Sequence, residues 1–85
     1  MNTYLFNVTD TVNGEANCCW FRRYKVSATS MRGAVRKVNK EEGFPRLRLV
    51  MTGELYRWDV PNACICIFGQ EWDEYDEQRN YKDLT

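Results

Sequence analysis

Tyr4, Phe6 and Val8 fall at alternate positions, on one face, in the segment TYLFNVT, the two-residue period of a strand. The polar stretch that follows contains Asn13-Gly14, a pair that tolerates the positive φ of a tight hairpin turn. A return strand is therefore predicted from about Ala16 to Val26. Along it Cys18, Trp20, Arg22, Tyr24 and Val26 share one face, and Cys19, Phe21, Arg23 and Lys25 share the other.

The period then changes. Met31, Ala34, Val35 and Val38 recur at helical spacing, Thr29 or Ser27 can cap the first turn, and Gly43, Phe44 and Pro45 close it, which predicts a helix over 30–42. RLRLVM alternates again, Thr52-Gly53-Glu54 turns the chain and LYRWDV returns until Pro61-Asn62. ACICIF is a nearly continuous apolar run of the kind that fills a central strand. The expected fold is α+β, one helix packed on a small antiparallel sheet in the order β-β-α-β-β-β. Beyond Phe68 the strand pattern stops. This divides the chain into a core domain, 1–69, and an acidic aromatic C-terminal tail, 70–85, where Trp72, Tyr75 and Tyr81 interleave with carboxylates. Such a tail is either a solvated end or a docking segment.

Composition sharpens this picture in two places. Net charge is zero over 85 residues, yet residues 20–48 carry +7 and residues 70–85 carry −4. That asymmetry bears on partners and encounter rates rather than on fold. No run of eighteen apolar residues exists and the N-terminus lacks a signal-peptide layout, so the expected location is the cytoplasm, away from membrane. Cys18, Cys19, Cys64 and Cys66 are then expected as reduced, small buried apolar groups.

The chain has no histidine, which removes the usual general base and every Ser-His or Cys-His nucleophile pair. Glu54, Asp59 and the tail acids fall where solvation keeps them ordinary, and the five glycines form no phosphate loop. The cysteines can bring at most three thiolates to one sheet face, short of a closed zinc site. A protein without enzymatic activity, metal or cofactor is expected. Arg32, Arg36, Lys37 and Lys40 project opposite the apolar stripe of the helix. With Arg22 and Arg23 they make an alternative basic surface, suited to phosphates without sequence specificity. A homodimer through the sheet face that the helix leaves uncovered is a third possibility.

The start MNTYLF, the unit YKVSATSMRGAVRKVNKEEG and the following RLVMTGEL, within residues 1–8 and 24–56, resemble the small anti-CRISPR proteins of phages and mobile elements that inhibit type I systems. The resemblance implies a stoichiometric binder that attaches to a CRISPR-Cas effector and blocks DNA binding or nuclease recruitment. It implies a partner-binding role for Glu71, Asp73, Glu74, Asp76 and Glu77, with Trp72 and Tyr75 as aromatic anchors. The basic stretch in the middle departs from a DNA mimic and leaves blockade by protein–protein contact, with direct nucleic-acid binding as the alternative.

Overall fold

β1 (Asn2–Val12) buries Tyr4, Leu5 and Phe6 in succession. Successive side chains of a strand point to opposite faces, so β1 must be covered on both. In the computed structural model, which describes residues 1–76 and 79–84, β1 pairs with β3 (Arg22–Ala28) on one edge and β6 (Ile65–Glu71) on the other. β4 (Arg48–Met51) and β5 (Tyr56–Asp59) extend the sheet beyond β6, and β7 (Lys82–Asp83) extends it beyond β3. The two-residue β2 (Glu15–Ala16) hooks onto the far end of β1. Across the sheet the order is β4-β5-β6-β1-β3-β7.

The helix lies where the apolar period places it, at α1 (Met31–Glu42). Ser30 is its cap rather than Thr29 or Ser27: its backbone is extended and its Oγ accepts from the Gly33 N–H at 3.1 Å. Gly43 closes the last turn at φ 78°, with its N–H on the Asn39 carbonyl at 2.7 Å. Ala34, Val35 and Val38 are buried in one cluster with Tyr4, Phe6, Val8, Tyr24, Val26, Trp58 and Ile67, the helix-facing row of the sheet.

Three expectations are corrected. The strand foreseen over 16–26 is broken at 17–21, so β2 and β3 are separate and the order becomes β-β-β-α-β-β-β-β. The break is made from β1. The Asp10 carboxylate takes the Asn17 side-chain amide at 2.9 Å and the Cys19 N–H at 3.4 Å, and Thr9 Oγ1 donates to the Trp20 carbonyl at 2.6 Å. Cys18 turns through φ 55°. Register moves from Thr11↔Ala16 to Val8↔Arg22, an odd offset that exchanges the strand's faces and brings Tyr24 and Val26 beneath the helix. Second, the sheet is mixed, because β7 runs parallel to β3. Third, the boundary foreseen after residue 69 falls inside β6, and the segment beyond it returns to the sheet as β7.

Candidate functional site

The acidic aromatic segment is braced rather than frayed. Glu71 ends β6 opposite Tyr4. The Trp72 N–H donates to the Thr3 carbonyl at 2.9 Å, the Tyr75 N–H to the Asp73 carboxylate at 2.8 Å, and Gln70 Nε2 to Asp76 Oδ2 at 2.6 Å. Gln70 pairs with Leu5 on the face away from the helix, so the chain passes that face on its way to β7, where the Leu84 N–H reaches the Lys25 carbonyl at 2.9 Å. Leu5 is fully buried on this side. The sheet face opposite the helix is thus partly crossed by the chain itself. From this braced turn Tyr75 projects with 75% of its surface exposed and Trp72 with 43%. Glu71, Asp73 and Glu74 are exposed around them and Asp76 is half-buried. Glu77 lies outside the described residues.

The six candidate cations do not form one surface. Arg22 and Arg23 are neighbours on β3 and point to opposite faces. Arg22 Nε donates to both oxygens of Glu42 at 3.0 and 2.8 Å, and its guanidinium lies 4.7 Å from the Trp20 ring centroid. Arg23 lies over Phe21 at 4.6 Å. Lys37 Nζ is held on the Ser27 carbonyl at 2.7 Å. Arg32, Arg36 and Lys40 remain, one exposed row at four-residue spacing along α1.

Glu42, at the end of α1, gathers both Arg22 and the Tyr24 hydroxyl, and its side chain is only 4% exposed. Burial pushes its carboxyl up, but the Arg22 and Tyr24 donors pull further, and the net position is below the ordinary glutamate range. Tyr24, raised by burial and by Glu42, is pushed up to about 12. A depressed carboxyl adds stability that is present above its unfolded pKa and lost as pH falls through the folded one; the raised tyrosine adds stability lost as pH rises toward 12. Glu42→Gln should cost about 1–2 kcal/mol at neutral pH, kept low by the half-exposed Arg22. The gap to wild type should close in acid, where the native carboxyl is itself protonated. Thermal melts of both proteins over a pH series check this; a constant gap would show that Glu42 acts through shape alone.

Two adjoining clefts, neither anticipated from the sequence, mark the edge where α1 meets β4 and β5. One, an open depression of about 920 Å³, is lined by Glu54, Leu55, Glu71, Trp72 and Asp73 and carries no cation. The other, about 500 Å³, runs between α1 and the hairpin under Arg32 and Arg36, with Val35, Leu49 and Trp58 on its walls and no acid. Met31 and Tyr56 line both. Leu49 and Leu55 are 49% and 38% exposed here. The signal was present in RLRLVM and LYRWDV, which carry more apolar side chains than an edge hairpin over one helix can bury.

All four cysteines are free thiols, but only Cys66 is buried; the 17–21 loop carries Cys18 and Cys19 outward and Cys64 sits in the turn before β6. Burial pushes the Cys66 thiol up. Among the described residues no three His, Cys, Asp or Glu side chains are grouped to hold a metal ion, and no helix is long and apolar enough to cross a membrane. No family model, curated protein or solved structure matches this chain.

Proposed function

We propose that this protein is a stoichiometric inhibitor that acts by covering a partner's surface, the partner being, as the resemblance implies, a CRISPR-Cas effector whose DNA binding or nuclease recruitment is blocked. The observation that carries the reading is the braced turn at 71–76, which holds Tyr75 and Trp72 out among carboxylates. Large aromatic rings exposed on a segment already ordered lose little freedom on binding, which is the property of interface anchors. The surrounding acids add fast encounter with a basic surface. Binding of nucleic acid by the basic set is less favoured, because Arg22 and Lys37 are engaged within the fold and Arg23 faces away from the helix.

Trp72→Ala and Tyr75→Ala together should leave the far-UV circular dichroism and melting unchanged. They should weaken capture of the effector complex about thirtyfold, the effect of losing an anchor of roughly 2 kcal/mol. Target-DNA cleavage in the presence of the variant reads the same loss. Undiminished inhibition by the double variant would remove the turn from the interface.

A further inference from the structure

We propose that the strip formed by the two adjoining clefts binds a second copy of the same strip, giving a two-fold dimer in which the acidic cleft of each protomer meets the basic cleft of its partner. Three observations carry it. The clefts share Met31 and Tyr56, so acid and base lie at the two ends of one continuous surface. A two-fold axis through its middle lays two copies antiparallel, and Glu54, Glu71 and Asp73 of one then oppose Arg32 and Arg36 of the other, twice over. Such an arrangement is self-complementary without any second kind of partner.

The second observation concerns which charges the fold already pairs among the described residues. Arg22–Glu42, Arg57–Asp59, Arg48–Asp59 and Lys82–Glu41 are ion pairs. Among the described residues none of Arg32, Arg36, Glu54 and Glu71 enters one. Third, the ground between the charged ends is apolar and accessible, with Leu49 and Leu55 exposed beside Met31 and Tyr56. An apolar centre with charges of opposite sign at its two ends is the composition of an interface with a fixed register. Glu71 and Trp72 belong both to this strip and to the segment read above as the inhibitor's contact, so self-association and partner capture compete for them.

Sedimentation equilibrium over a concentration series tests the dimer directly, and salt should weaken it. Two charge-reversed proteins, Arg32→Glu/Arg36→Glu and Glu54→Lys/Glu71→Lys, alter exposed side chains outside the core and should melt like wild type. Each alone should self-associate at least about tenfold more weakly, since like charges then face each other. Mixed together they should form heterodimers, because one reciprocal contact is then native and the other is restored with its signs exchanged. A wild-type chain that stays monomeric at its solubility limit overturns the proposal. So does a dimer that ignores salt and charge reversal, or a mixture with no rescue. The salt series on wild type stands even if a variant fails to fold, and none of these readouts involves an effector.

Discussion

Gly69→Val should leave the chain unfolded at room temperature, and Gly69→Ala should cost about 3 kcal/mol. A Cβ built at this position lies 2.6 Å from Phe6 Cε1 and 2.9 Å from Trp58 Cζ3, far inside contact distance. Neither ring can withdraw. Phe6 is completely buried, the two rings pack at 6.0 Å between centroids, and Trp58 also stacks on Tyr56 at 5.7 Å. Overpacking of a well-filled core costs about 1–3 kcal/mol and more where nothing can shift. A domain this small has only about 5 kcal/mol in hand. Urea unfolding followed by tryptophan fluorescence measures the alanine variant. A loss under about 0.5 kcal/mol, the size of an ordinary surface substitution, would show that the aromatic layer is loose.

Val38→Asp should unfold the protein as well, by about 4 kcal/mol or more. Val38 is fully buried on α1 within the cluster that holds Phe6, Tyr24 and Val26. A carboxylate there would lack both water and partner. Val38→Ala, which removes volume without adding charge, should cost about 1–3 kcal/mol and still fold. The exposed Lys40→Asp, two residues on, should stay near neutral. Melting temperatures by circular dichroism separate the three, and an unchanged melt for the aspartate variant would remove α1 from the core.

These two positions were not equally legible. Val38 announces itself through a period read over eight residues and through Gly43 and Pro45 beyond it, all local signals. Gly69 reads as a strand end, because a glycine's requirement here comes from Phe6 and Trp58, more than sixty residues earlier and eleven residues earlier in the chain. The break at 17–21 has the same origin: it is drawn by Asp10 and Thr9 from the neighbouring strand. Ser30 as cap differs from Thr29 by one residue, which periodicity does not resolve. At the candidate site the aromatic and acidic residues of 71–76 were visible by composition. Their attachment to Thr3, and the removal of Arg22 by Glu42, are long-range pairings that no local pattern encodes.

The central place of β1 has a consequence for biosynthesis. β1 is completed late: one edge finds β3 early, but the other waits for Ile65–Glu71, pairing Tyr4 with Glu71 and Leu5 with Gln70. Closing so long a loop before any gain from contact makes for slow folding. Until β6 is made, an apolar strand stands with one side unpaired, the state in which chains associate wrongly. A product ending at residue 69 would lack the β6 partners of Tyr4 and Leu5 and the whole of β7, and it should collect in the insoluble fraction rather than persist as a smaller working module.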